Sequence, residues 1–425
     1  MWSPWKRLAA WCLFGATALP LQAQDAAAPP ALSAALREVL SQAPTLAGAA
    51  AQWQAARAEL QAAARPLYNP ELTLEREQAD VDTTAVGIDL GIDWSGKRRA
   101  HRSVAAAQLA AQLAAYRDTR QQLALQWLDA WLELRNAEQQ LRIGAQRVAV
   151  LQQFADLAAR RFTVGDLSSV ERDLALLASQ QARIEQARLI GAQARARATL
   201  AGISPVVPDA ALPGELPAVD ADAAIDTTQA PQLLQARALA EAAQLQVRSA
   251  QLQRRPDPTV SVRTGQVDVG LPQKQSLFSL GVSVPLPLLN SHGAELRGAR
   301  ATARAAEQQL ADRTLQLDAQ AAQARSSFQA LRDAWLSLPG TMSNATTDGG
   351  ATTERTALLQ RLWQSGELSS ADYLVQLQQT MDTELERSAL WADAWRAWID
   401  WRAACGQLDQ WLDLGALPDT AARDE

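Results

Sequence analysis

Two hydrophobic periods divide the chain. Over residues 104–160 and 167–200 glycine is sparse and proline absent, and Leu, Ala and Trp recur every three or four residues. That spacing predicts very long amphipathic helices with the weak, alanine-rich stripe expected where helices pack closely side by side. In two short stretches the period falls to two. Val86, Ile88, Leu90, Ile92 and Trp94 alternate with Gly87, Asp89, Gly91 and Asp93, while Phe278, Leu280, Val282, Val284 and Leu286 alternate with Ser279, Gly281, Ser283 and Pro285. Such alternation predicts strands with one apolar and one polar face. Its length suits a tilted transmembrane β-strand of roughly 9–11 residues. Residues 71–77 and 259–267 are weaker strand candidates that would pair with these runs across hairpin loops.

The chain is also written twice. Gln42-Ala43-Pro44-Thr45-Leu46 returns as Gln229-Ala230-Pro231-Gln232-Leu233, an offset of 187. Pro70-Glu71-Leu72-Thr73-Leu74 returns as Pro258-Thr259-Val260-Ser261-Val262 at 188, and Gly165-Asp166-Leu167-Ser168-Ser169 as Gly366-Glu367-Leu368-Ser369-Ser370 at 201. Each half then follows one plan: a helix (46–64; 233–253), a proline-containing break, two extended runs, a long helix, a glycine turn and a second long helix. The predicted organisation is a first repeat over 24–202, a proline-rich connection over 203–231, a second repeat over 232–415 and a tail over 416–425.

The amino terminus sets the compartment. Lys6 and Arg7 precede an apolar stretch over residues 8–21, and Leu21-Gln22-Ala23 offers a small-residue cleavage site, so 1–23 reads as a secretory signal peptide. Removing it with Cys12 leaves Cys405 as the only cysteine, which excludes an internal disulfide, and takes the formal charge from −6 to −8. An acidic chain with dispersed basic residues gives no reason to expect nucleic acid. No later apolar run is long enough for a membrane-spanning helix. The fold class expected is therefore mainly α with a small membrane β part: two giant helical hairpins, each hung beneath a β-hairpin. Four strands do not close a barrel, and lipid does not tolerate an open sheet edge, so closure demands several copies. Three would supply twelve strands, within the roughly 8–26 of outer-membrane barrels, although the number three does not follow from the sequence.

The chemistry is sparse. His101 and His292 are the only histidines, with no cysteine or carboxylate cluster at ligand spacing beside them. No phosphate-binding loop or nucleophile motif stands in a supporting context. Neither a cofactor, a metal site nor a catalytic residue is expected, and the chain is not read as an enzyme. Gly165 and Gly366 suit reversals between long helices, and Ser168-Ser169 and Ser369-Ser370 suit the caps of the returning helices. One departure from helix, Leu338-Pro339-Gly340 with a polar patch over 343–350, corresponds in the first repeat to plain helix over 142–149. On the strands, Ile88, Leu90, Ile92, Val282 and Val284 are expected to face lipid, and Asp89, Asp93, Ser279 and Ser283 the lumen. Glu71, Glu75, Asp89 and Asp93, repeated by symmetry, would form acidic rings that attract cations.

Arg161-Phe162-Thr163-Val164-Gly165 with Leu167 and Glu171, and Trp363-Gln364-Ser365-Gly366 with Leu368 and Asp372, form a duplicated pattern of aromatic, glycine and a later acid. In this architecture it resembles the TolC outer-membrane efflux family, and within it the branch serving heavy-metal pumps. The resemblance covers about residues 33–415. It implies a homotrimeric passive exit duct in the outer membrane, with a long periplasmic extension. Its partners would be outer-membrane lipid, a periplasmic adaptor and an inner-membrane pump of the RND type. The adaptor would seat on Val164, Gly165, Asp166 and Leu167, and on Ser365, Gly366, Glu367 and Leu368. Metal cations are the cargo implied, with organic compounds as the alternative. The rival class is a soluble periplasmic coiled-coil adaptor or scaffold, which usually carries one helical hairpin rather than two.

Overall fold

The computed structural model describes residues 27–78, 82–218, 224–268, 275–338 and 350–415, and side chains from 354 onward in the last of these. The expected signal peptide and tail, the β-hairpin loops, and Pro339, Gly340 and all but Gly350 of the patch over 343–350 lie outside the described residues. Nine helices and four strands follow in the order α1 (Pro30–Gln42), α2 (Pro44–Ala63), β1 (Glu71–Glu77), β2 (Asp82–Gly91), α3 (Lys97–Thr163), α4 (Ser169–Ile203), α5 (Pro231–Gln253), β3 (Thr259–Asp268), β4 (Gln275–Ser283), α6 (Gly293–Ser337), α7 (Gly350–Gln364), α8 (Ser370–Ala404) and α9 (Leu408–Trp411) among the described residues. The repeat is plain in this order: helix, β-hairpin, long helix and returning helix occur twice. Helix α3 runs unbroken for 67 residues, about 100 Å at 1.5 Å per residue. Its counterpart α6 ends at Ser337, with Leu338 extended, and α7 is described from Gly350.

The strands form one antiparallel sheet in the order β1-β2-β3-β4. Pairing of β2 with β3 joins the two hairpins, leaving β1 and β4 as edges. Register places most of the apolar side chains on one face. Leu72 lies opposite Ile88, Ile88 opposite Val262 and Val262 opposite Leu280, while Leu90, Val260 and Val282 make the adjacent row. No layer of the described residues covers this face: Leu72, Leu74, Phe278 and Leu280 are 70%, 75%, 74% and 68% exposed.

The helices hold two main cores and a small third cluster of Ala230, Leu233 and Leu317 among the described residues. The larger, at mid-height, gathers Trp127, Leu128 and Trp131 of α3, Phe328 and Trp335 of α6, Trp395 and Trp398 of α8 and Trp411 of α9. Helix α1, not among the expected elements although Leu32, Leu36 and Val39 recur at helical spacing, fills the same core with those residues. A smaller core near the turns combines Leu151, Phe154, Trp363, Tyr373, Leu377 and Met381. Small residues, such as the fully buried Ala124, Ala158, Ala175 and Ala321, let the long helices approach closely.

Candidate functional site

Three places combine polar chemistry with an unusual position: the helix-hairpin turns, the junction between sheet and helices, and the polar face of the sheet.

Both turns close in the same way. The Gly165 N–H donates to the Phe162 carbonyl and the Asp166 N–H to that of Arg161; the Gly366 and Glu367 N–H groups donate to Trp363 and Leu362. This paired closure needs a left-handed residue after the helix. Gly165 and Gly366 supply it with φ of 85° and 81°, and nothing lies within 4 Å of where a Cβ would sit, so conformation rather than space requires glycine. The returning helices start on serine caps. The Glu171 N–H donates to Ser168 Oγ (3.2 Å) and its carboxylate accepts from the Ser168 N–H (3.1 Å), a reciprocal box; the Asp372 N–H donates to Ser369 Oγ (3.1 Å). The acids six residues after each glycine therefore complete helix starts, which the Ser-x-x-acid spacing signals in the sequence.

The two turns differ in what they present. Val164 is 70% exposed beside Phe162, over whose ring the Arg172 guanidinium lies at 4.3 Å. In the second turn Trp363 is buried against Phe154 and Tyr373, and its indole N–H donates to Ser370 Oγ (3.1 Å). Arg161 joins the hairpins, stacking 4.8 Å from the Trp363 ring and donating to the Gln364 carbonyl (2.8 Å). Val164, Gly165, Asp166, Ser365, Gly366 and Glu367 are exposed, whereas Leu167 and Leu368 are half-buried and pack on the smaller core. The last two brace the turns and leave the outer surface to the other six.

At the junction, sequence reasoning missed a polar cluster built around a buried ion pair. Lys97 Nζ pairs with Asp257 Oδ2 at 2.9 Å, with side chains 8% and 4% exposed. The Tyr68 hydroxyl donates to Asp257 Oδ2 (2.7 Å) and Ser95 Oγ to Oδ1 (3.2 Å). The Trp94 indole donates to the Pro256 carbonyl (2.7 Å). Tyr68, Trp94, Ser95 and Lys97 belong to the first repeat and Pro256 and Asp257 to the second, so this cluster clamps one repeat to the other. Nothing local in the sequence marks it.

Asp93 corrects an expectation. Strand β2 ends at Gly91 and β4 at Ser283, so Ile92, Asp93, Trp94, Val284 and Leu286 lie beyond the ladders. Only the Ile92 N–H continues the pairing, to Pro258 (2.9 Å). The Asp93 carboxylate instead accepts from the N–H groups of Gly96, Lys97 and Arg98 at 2.8–2.9 Å. Burial raises its pKa, but these three N–H groups and Lys97 outweigh that and hold it below the usual value. Asp93 is thus the cap of α3 rather than part of the strand's polar face: free amides at a helix start attract a nearby carboxylate. Glu71, Glu75 and Asp89 do lie on the polar face, with Ser279 and Ser283, since Glu71 pairs with Asp89 and each follows the alternation.

All three tyrosines ionise late. The hydrogen bond to Asp257 lifts Tyr68 to about 12, burial lifts Tyr373 to about 12, and burial also raises Tyr116. Each phenol ionises near 10 in an unfolded chain, so its contribution is complete below that pH and lost as pH rises through the folded value. A tyrosinate absorbance titration of the folded protein is expected to show little ionisation at pH 10, against about half in denaturant; equal curves would contradict these environments.

No group of three His, Cys, Asp or Glu side chains that could hold a metal occurs among the described residues. No described helix is long and apolar enough to cross a membrane.

This is the fold of TolC-like outer-membrane channels. It aligns with CusC, described with its transmembrane channel formation, at a TM-score of 0.71 and 17% identity over 90% of this chain and 93% of that one. The outer membrane protein VceC of Vibrio cholerae aligns at 0.67 and 20% over 88% and 96%. The open-state MtrE outer membrane channel of Neisseria gonorrhoeae aligns at 0.69 and 16% over 89% and 90%. In sequence, residues 35–204 match the family model of outer membrane efflux proteins. Protein CyaE of Bordetella pertussis is 31% identical over 201 residues, 44% of this chain and 42% of that protein, so the matched part spans less than half of the relative. Neither the matched family nor these structural neighbours are enzymes.

Proposed function

We propose that this chain is an outer-membrane efflux protein whose copies assemble, as a homotrimer, into the passive exit duct of a tripartite pump. The observation that carries this is the uncovered sheet: one face is a continuous apolar patch, the other is polar, and both edges are open. An apolar patch of this kind on a soluble monomer would drive association, whereas lipid outside and water inside accommodate both faces. Copies joined edge to edge, β4 to β1, would leave no unpaired strand in lipid. The helical hairpins then extend into the periplasm, and the exposed turns at their far ends would meet an adaptor that links the duct to an inner-membrane RND pump. We propose metal cations as cargo, supported by the resemblance to the heavy-metal branch, with organic compounds as the alternative. Loss of resistance to metal salts but not to organic toxicants on deletion of the gene would support the first; the reverse pattern supports the second.

The membrane reading is tested on neighbouring strand positions. Leu90 lies on the apolar face and Asp89 on the polar one. Leu90→Arg is expected to cost more insertion stability than Asp89→Arg, although less than the about 2–4 kcal/mol of a midplane position, because Leu90 lies near the end of β2. Heat-resistant oligomer recovered from outer membranes reads the difference. Equal recovery of the two variants, or a wild-type chain found as a soluble monomer, would reject the barrel.

A further inference from the structure

We propose that Arg263 sets the ion selectivity of the duct's membrane section, an inference that rests on the channel reading. The polar face of the sheet carries Glu71, Glu75 and Glu77 on β1 and Asp89 on β2, each placed by the register. Arg263 on β3 is the one basic residue of that face among the described strand residues. Its row reads Thr73, Gly87, Arg263, Ser279, so its immediate neighbours across the ladders are a glycine and a serine. The stem lies across β2 at Gly87, where a Cβ would come within 2.7 Å of Arg263 Cγ. Gly87 is therefore the residue that lets a long side chain lie flat against the wall. The guanidinium reaches the next row, with Nη1 3.7 Å from Glu75 Oε2.

The acids of this face are consequently not equivalent. Glu75 is matched by Arg263. Asp89 accepts the Thr73 hydroxyl and stands directly opposite Glu71. From one end of β1 to the other the face reads as an acidic row of Glu71 and Asp89, then Arg263 with Glu75, then Glu77. Closed by symmetry, these rows become rings, and a permeating cation would meet a positive ring between two negative ones. Rings of charged side chains bias which ions pass. The Arg263 ring opposes cations and admits anions at mid-height, and Glu75 restrains it in place.

Reversal potentials in planar bilayers under a KCl gradient test this with the full-length assembly. Arg263→Gln is expected to raise the K+ to Cl− permeability ratio about two- to fivefold, the scale of one charge per copy acting through water over several ångströms. Glu75→Gln is expected to lower the ratio, because it unmasks the guanidinium, and Arg263→Lys to stay near the wild type. Ratios for Arg263→Gln and Glu75→Gln that coincide with the wild type would overturn the proposal. If Arg263→Gln fails to insert, Glu75→Gln against the wild type decides alone. Absence of any wild-type conductance would instead remove the channel reading on which the proposal stands.

Discussion

Asp257→Ala is expected to lower the unfolding free energy by about 3–5 kcal/mol, the cost of leaving a buried charge without its partner. Asp257 accepts from Lys97, Tyr68 and Ser95, and its own side chain and that of Lys97 are buried, so its removal leaves a buried ammonium without its partner. Asp257→Asn with Lys97→Met is the informative companion. The amide oxygen still accepts from Tyr68 or Ser95, the charge and its counter-charge leave together, and the loss should be much smaller than for Asp257→Ala. Urea titrations of the detergent-solubilised protein, followed by far-ultraviolet circular dichroism, compare the midpoints. An Asp257→Ala midpoint within error of the wild type would mean that the pair is solvated and clamps nothing. The consequence for function is mechanical: the cluster sits where β2 gives way to α3 and α5 to β3, so it fixes how the sheet is mounted on the long helices.

The second large effect concerns the turns. Val164→Arg and Ser365→Arg are expected to lower resistance to the pump's substrate strongly while leaving assembly and membrane insertion intact. Both positions are exposed, and exposed substitutions usually change stability by no more than about 0.5 kcal/mol. A bulky cation at either turn should nevertheless prevent an adaptor from seating, and crosslinking to the adaptor should fall with resistance. Because Val164 is apolar beside Phe162 while Ser365 lies in a polar turn above the buried Trp363, Val164→Arg should show the greater loss. Replacing Gly165 or Gly366 is a less direct test, since any side chain there adds about 1–2 kcal/mol of left-handed backbone strain. Full resistance with normal crosslinking in both Arg variants would show that the turns only reverse the chain.

Local patterns in the sequence determined much of this protein. The alternation of Val86, Ile88 and Leu90 marked β2, the spacing of apolar residues marked α3 over nearly its full length, and the duplicated Gly-x-x-Ser at 165–168 and 366–369 marked both turns. These signals are legible because backbone hydrogen bonding within one helix, one hairpin or one turn depends on neighbours a few residues away. The same locality explains the errors. Alternation continues through Ile92 and Trp94, but the strand stops at Gly91 because the free amides of α3 draw Asp93 to them. Helix α1 does carry a short stripe, Leu32, Ala35, Leu36, Val39 and Leu40 at three- and four-residue spacing, but only packing shows that the stripe completes a tryptophan core assembled from α3, α8 and α9.

Tertiary structure alone decided which distant groups meet. Ser95 and Asp257 are 162 residues apart, and neither carries a local sign of the other. Arg263 and Glu75 come together only through the β2–β3 pairing that joins the repeats, so the sequence showed acidic residues on a polar face without showing that one of them is neutralised. A charge's effect depends on its partners within a few ångströms, and for this chain those partners are fixed by packing between the two halves.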